Sequence, residues 1–112
     1  MADSNRLMSL DGRLARAVNV TTSSVSYILI KAGTLTYGDG SRNSYIQIFQ
    51  AIPDHAGSWR VWDVLDDEAV DEIVAELEQG SYEWYGEQLE LAWLEGDEEI
   101  SIRRQIGWLD MT

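Results

Sequence analysis

The sequence lacks several residue types on which common protein chemistries depend. It contains no Cys and a single His among 112 residues. Disulfide frameworks, cysteine nucleophiles and tetrahedral zinc sites are therefore excluded. No apolar run approaches the roughly 18 residues that a transmembrane helix needs, and residues 1–7 lack the apolar region of a signal peptide. These absences predict a cytoplasmic protein, in the host cytoplasm if the gene is viral.

Basic residues are also scarce, and the charge is unevenly distributed. The chain has 20 acidic and 8 basic residues and a net charge of -12. Residues 1–62 hold four acids and six bases, a net +2, whereas residues 63–112 hold sixteen acids and two bases, a net -14. Such a concentrated negative field attracts basic proteins and repels nucleic acid and anionic membranes. The alternative is general acidity for solubility or salt adaptation, which should acidify both halves.

Hydrophobic periodicity predicts a single α+β domain over residues 1–112, with a mostly antiparallel sheet. Apolar residues at helical spacing predict a short N-terminal helix over 6–18. Runs rich in β-branched and aromatic residues predict strands, at 25–30, 35–37, 45–52 and 59–64. The segment 38–41 has the composition of a hairpin turn.

The clearest predicted element is an amphipathic acidic helix over 67–79. Its apolar side chains recur at i, i+3, i+4 and i+7, namely Val70, Ile73, Val74 and Leu77. Asp66 is a capping candidate, and Gly80 follows as a stop signal. In the tail, alternation over 89–93 and 100–102 around a turn at 95–98 favours a terminal hairpin, with a helix over 83–94 as the alternative.

One face of the predicted acidic helix carries carboxylates without a cation. Glu68, Glu72 and Glu76 lie at i, i+4 and i+8, with Asp71 beside them. Like charges at this spacing cost a few tenths of a kcal/mol, which surface helices usually relieve with Lys or Arg. Carboxylates spaced about 6 Å apart can imitate the phosphates of nucleic acid. A merely solvated helix face is the alternative interpretation.

A second acidic segment follows and contains aromatic residues. Trp and Tyr among carboxylates are typical of binding hot spots, and they can stack on Arg or Lys of a basic partner. Tyr82 belongs to the same aromatic group and would mark an interface if it faced solvent. The predicted partner-binding residues are Glu68, Asp71, Glu72, Glu76, Glu83, Trp84, Tyr85, Glu87 and Glu90.

The segment 83–93, with the sequence EWYGEQLELAW, resembles the inhibitory segment of the barstar family of ribonuclease inhibitors. That segment sets Tyr, Gly, Asn and acidic residues against a basic active site, and it also follows a helix. The resemblance covers about a dozen residues and implies a helix over 83–94. Leu94 stands where the family has its last key Asp.

No motif of catalysis or cofactor binding is present in the sequence. There is no Gly-x-Ser-x-Gly elbow, and His55 is an isolated loop residue. The turn at 38–40 lacks the Lys of a phosphate-binding loop, and the acids at 63–71 lack the order of an EF-hand loop. We therefore expect no enzyme activity, no cofactor and no metal site.

These features predict a small acidic, non-catalytic inhibitor that blocks the basic surface of another protein. The expected partner is a nuclease or a nucleic-acid-binding defence complex, as for anti-CRISPR and anti-restriction proteins that act as DNA mimics in phage and mobile elements. One alternative is an immunity protein that neutralises a cognate toxin, which the barstar-like segment favours. Another is an assembly component of a virion or larger complex.

Overall fold

The computed structural model describes residues 4–51, 59–65, 67–84 and 86–106. It confirms the α+β class, with an antiparallel sheet as the main element. In chain order the elements are α1 (Ser4–Leu10), β1 (Leu14–Asn19), β2 (Val25–Thr36), β3 (Arg42–Ala51), β4 (Trp59–Val64), α2 (Asp67–Gln79), β5 (Ser81–Trp84), β6 (Glu87–Trp93) and α3 (Gly96–Ile106). Among the described helices none is long and apolar enough to cross a membrane.

Within the described residues, six strands form one sheet in the order β4-β3-β2-β1-β6-β5, and each neighbouring pair is antiparallel. Strands β2 and β3 form a long hairpin whose turn, at 37–41, confirms the predicted turn signal. There the Asp39 carboxylate accepts hydrogen bonds from the backbone N–H and the hydroxyl of Ser41. These bonds hold the pKa of Asp39 below its ordinary value.

One face of the sheet is covered by α1 and α2. Alternate side chains of β2 and β3 point to this face, and they pack against the apolar stripe of α2. From β2 and β3 come Ile28, Ile30, Ala32, Ile46 and Ile48, and from α2 come Val70, Ile73, Val74 and Leu77, all no more than 7% exposed. Complete burial of one such aliphatic side chain contributes about 1.5–3 kcal/mol. The main core lies between these layers.

The opposite face is covered by α3. Tyr27 and Leu29 of β2 point to this side and pack with Ile102 and Ile106 of the helix. The guanidinium of Arg103, itself 8% exposed, donates hydrogen bonds to the carbonyl oxygen of Gly12 and the carboxylate of Glu99. Strand β2 is therefore buried on both sides.

The N-terminal prediction was half right. The helix ends at Leu10, and the residues from Leu14 onward form β1 between β2 and β6. Gly12 adopts a φ of 78°, which turns the chain out of the helix. Leu14 and Ala17 then point to opposite faces of the sheet, although helical spacing placed them on one side.

The tail prediction was partly right: the strand at 89–93 is confirmed as part of β6, but the strand expected at 100–102 as its hairpin partner is wrong. Strands β5 (Ser81–Trp84) and β6 (Glu87–Trp93) pair with each other, so the alternative helix over 83–94 is excluded. Residues 96–106 are helical, because α3 buries Ile102 and Ile106 at i, i+4 while Ile100 stays exposed. Acids in the first turn of α3 and bases in its last turn also suit the helix dipole. The expected separate strand at 35–37 is instead the end of a continuous β2.

The predicted helix over 67–79 is confirmed with the same bounds. It connects β4 and β5, which are the two opposite edges of the sheet. Six strands span about 24 Å from edge to edge, and thirteen helical residues span about 20 Å. Helix α2 therefore crosses the sheet, and its C-terminal end comes to lie beside β5.

Gly80 makes this connection, and its replacement should destabilise the fold. Its φ is +78°, and a Cβ would approach the Leu91 carbonyl oxygen at 3.4 Å. We expect Gly80→Ala to lower the free energy of unfolding by about 1–2 kcal/mol, because L residues are strained in this conformation. Urea unfolding followed by tryptophan fluorescence measures the change.

The matched control is Gly38→Ala in the β2–β3 turn, where a Cβ meets no atom within 4 Å and φ is not in the left-handed region. This variant should be close to wild type. An equal loss in both variants would contradict the role assigned to Gly80.

Candidate functional site

The strongest candidate site is a cleft between α2 and the β5–β6 hairpin. Three carboxylates line it, Glu72 and Glu76 from α2 and Glu83 from β5. We call these three residues and the space between them the acidic cleft. Its volume is about 370 Å³.

The floor of the acidic cleft is apolar. It is formed by Val64 at the end of β4, Ala69 and Ile73 of α2, and Tyr82 of β5. Val64, Ile73 and Tyr82 are at least nine-tenths buried. A long cationic side chain would match a cleft with an apolar floor and a charged rim, because its methylene stem is apolar and only its head is charged.

The local fold explains how the carboxylates come together. Burial of the apolar stripe of α2 leaves Glu72 and Glu76, one turn apart, on the side of the helix away from the core. Tyr82 is buried in the core at 1% exposure, whereas its neighbour Glu83 is exposed and lines the cleft. Because β5 is an edge strand next to the end of α2, Glu83 lies close to Glu76.

The electrostatics of the acidic cleft are those of uncompensated like charges. Partial burial raises the pKa of Glu76 above its ordinary value of 4.5, and the charges of Glu83 and Glu72 raise it further. None of the three carboxylates forms an ion pair with a residue that the structure describes. Other described residues do form ion pairs, among them Arg6–Glu78, Arg16–Glu98 and Arg103–Glu99.

The remaining predicted site residues are not gathered into the cleft. Glu68 and Asp71 are exposed on α2 but do not line it, and Glu90 is exposed on β6 opposite Val18 and Ser81. Glu87 lines a different cavity. The sequence placed the acids of α2 on the right helix, but it predicted no strand at 81–84 and could not separate the acidic residues into sites.

Of the three aromatic residues at 82–85, only Tyr82 has a described side chain. Tyr82 is buried, so it is part of the floor and not an exposed anchor. Tyr85 and the side chain of Trp84 lie outside the described residues, as do Asp66 and His55. The anchoring role of Trp84 and Tyr85 stays a prediction.

Sequence reasoning missed the apolar floor and one polar residue of the core. The apolar stripe predicted for the helix includes Ile73, but its place in the floor of the cleft beside Val64 follows only from the crossing of α2. Gln50 has the same strand parity as Ile46 and Ile48, which places a polar side chain on a buried face. That break in the alternation was readable from the sequence.

Comparisons with protein-family models, curated proteins and solved structures give no significant match. Within the described residues, no group of three or more His, Asp or Glu side chains has an arrangement suited to a metal ion. Three carboxylates over an apolar floor can attract organic cations, such as Arg and Lys side chains.

The raised pKa of Glu76 predicts a pH-dependent stability difference. The folded state holds the proton of Glu76 more tightly than the unfolded chain, so ionisation of this group lowers the free energy of unfolding at neutral pH. This cost disappears as the pH falls through the raised pKa. We expect Glu76→Gln to raise the free energy of unfolding by a few tenths of a kcal/mol at about pH 7. The difference should vanish near pH 4, as measured by urea unfolding.

Glu87→Gln is the control, because it removes one charge outside the acidic cleft. This variant measures how the loss of one negative charge alone changes the free energy of unfolding. If Glu87→Gln stabilised the protein as much as Glu76→Gln does, the effect would belong to overall charge and not to the cleft.

Proposed function

We propose that this protein is a small acidic, non-catalytic inhibitor that binds and blocks a basic, nucleic-acid-binding surface of another protein. The acidic cleft carries this proposal. Three carboxylates from two elements converge over an apolar floor, without a compensating cation among the described residues. An Arg or Lys side chain of the partner would place its stem on the floor and its charge between the carboxylates.

The size of the cleft supports an interaction with a side chain and not with a large substrate. Its volume of about 370 Å³ lies at the lower end of the range for small-molecule sites. Around it, Glu68 and Asp71 extend the negative surface along α2. In the proposed complex these outer carboxylates increase the association rate, while the cleft supplies the specific contact.

The charge distribution supports a partner that normally binds nucleic acid. The acidic row on α2 can occupy a groove that is shaped and charged for phosphates, and association through such a field needs no chemistry. A nuclease or a nucleic-acid-binding defence complex fits this description. The immunity-protein alternative loses its main support, because the segment that resembles barstar is a β-hairpin and the resemblance implies a helix.

Charge reversal in the acidic cleft tests the proposal. The double variant Glu76→Lys with Glu83→Lys should lose partner binding by at least about a hundredfold, because two attractive contacts become repulsive. The partner is captured from a host lysate on immobilised wild-type protein, eluted with a salt gradient and identified. Its affinity for each variant is then measured by calorimetry, together with its displacement by added DNA or RNA.

The matched control is Glu95→Lys with Asp97→Lys, which changes the net charge equally at exposed positions outside the cleft and outside the predicted partner-binding residues. It should weaken binding by less than about tenfold, through long-range electrostatics alone. An equal loss of affinity in both double variants would show that the cleft is not the specific binding site. A partner that nucleic acid does not displace would refute the blocking of a nucleic-acid site.

A further inference from the structure

Helix α3 covers only part of its side of the sheet. In the apolar cluster beneath this helix, the last residue of β2 is Leu29. Strand alternation places Lys31, Gly33 and Leu35 on the same face as Leu29, yet the first two are only half-buried and Leu35 is exposed. We call this face, from Lys31 to the turn at 37–41 and across the neighbouring parts of β3 and β4, the open strip.

The open strip is apolar although it faces solvent. Leu35, Tyr37 and Leu65 are 38%, 43% and 47% exposed, and the half-buried Tyr45 lies between the first and the last of them in one groove. The Tyr37 hydroxyl accepts a hydrogen bond from the side chain of Asn43, which is the neighbour of Leu35 on β3. A solvent-facing side of an antiparallel sheet is normally polar, so an apolar one indicates an interface.

The β2–β3 hairpin is also the part of the chain where two copies can approach without repulsion. Residues 25–51 contain two bases, Lys31 and Arg42, and one acid, Asp39, whereas the whole chain has a net charge of -12. Most other surfaces of two copies would repel each other.

The charges of the open strip stand at its two ends. Lys31 lies at the α3 end, with its ammonium group 5.9 Å from the ring centroid of Phe49, which packs beneath α3. Asp39 lies in the turn at the other end. A second copy that is reversed end to end therefore presents the complementary charge at each end.

Helix α3 determines how a second copy fits. Two sheets pack face to face at about 10 Å, and α3 is about 10 Å thick, so the second sheet cannot extend past this helix. Both open strips are fully covered only if the copies are reversed, with the turn of each copy next to α3 of the other. Lys31 then lies beneath Asp39 of the second copy, and Leu35 lies over Tyr45 of the second copy.

The area of the open strip sets the strength of this contact. Residues 31–37 of one strand span about 20 Å, and three strands span about 14 Å, which gives about 300 Å² for each copy. A stable complex buries about 800 Å² for each partner. The contact is therefore sufficient only for a weak dimer that forms at high protein concentration.

We propose that this protein forms a weak two-fold dimer through the open strip, in which each Lys31 pairs with Asp39 of the second copy. The acidic cleft lies beside α2, on the other side of the sheet. The dimer therefore carries two acidic clefts outside its interface. This interface does not depend on the function proposed for the cleft.

Sedimentation equilibrium between about 10 μM and 1 mM protein tests the proposal. We expect a monomer–dimer equilibrium with a dissociation constant of about 0.1–1 mM. Leu35→Glu should weaken it at least about tenfold, because it places a carboxylate in the apolar part of the interface. The control Met8→Glu makes the same charge change at an exposed position of α1, on the opposite face, and should dimerise within about threefold of wild type. A protein that stays monomeric at about 1 mM, or an equal loss in both variants, would overturn the proposal and leave the face to another occupant.

A mixture of two charge variants tests the pairing itself. Lys31→Glu and Asp39→Lys should each weaken self-association about tenfold or more, because each variant alone sets like charges against each other twice. An equimolar mixture re-forms both attractive pairs and has the same total charge as the wild-type dimer, so it should associate as wild type does. The amide NMR spectrum of each variant checks that the fold is kept. A mixture that associates no better than its components would overturn the Lys31–Asp39 pairing, whatever the outcome for partner binding at the cleft.

Discussion

Burial of β2 on both faces of the sheet is the constraint on which the rest of the architecture depends. Ile28 and Ile30 need cover on one side, and Tyr27 and Leu29 need it on the other. Helices α1 and α2 supply the first layer and α3 the second. Because the chain leaves the sheet at the edge strand β4 and returns at the opposite edge, α2 crosses the whole face. The acidic side of α2 is therefore directed to solvent, with its C-terminal end beside β5.

The same crossing creates the electrostatic character of the molecule. Glu76 would be an ordinary surface carboxylate on an isolated helix, but the approach of β5 sets Glu83 near it and partly buries it. Three arginines form their contacts outside the cleft: Arg6 and Arg16 pair with acids at exposed positions, and Arg103 of α3 bonds to Glu99 and to the turn that precedes β1. Like-charge repulsion in the acidic cleft is thus retained at a cost to stability, which a cationic side chain of a partner would reverse.

Local pattern was enough to predict α2 and several of the strands, because their burial follows the helical or strand period. The local pattern failed where sheet pairing overrode it. Leu14 and Ala17 have helical spacing in the sequence, but in β1 they lie on opposite faces of the sheet. It failed again at α3, where Ile100 and Ile102 alternate although only Ile102 is buried. The acidic character of the site was readable from composition. The meeting of Glu83 with α2 was not, since it depends on the connection between the two distant edges of the sheet.

The most direct test of the central claim is an amide NMR titration with a short arginine-rich peptide. If the acidic cleft is the preferred cation site, the largest shifts appear at Glu72, Glu76 and Glu83, and they disappear at high salt as the attraction is screened. Peptide binding would be lost in the double variant Glu76→Lys with Glu83→Lys, and it would be kept in the charge-matched control variant. Shifts spread evenly over the cleft and the acidic first turn of α3 would contradict the account, because they would show general acidity without a specific site.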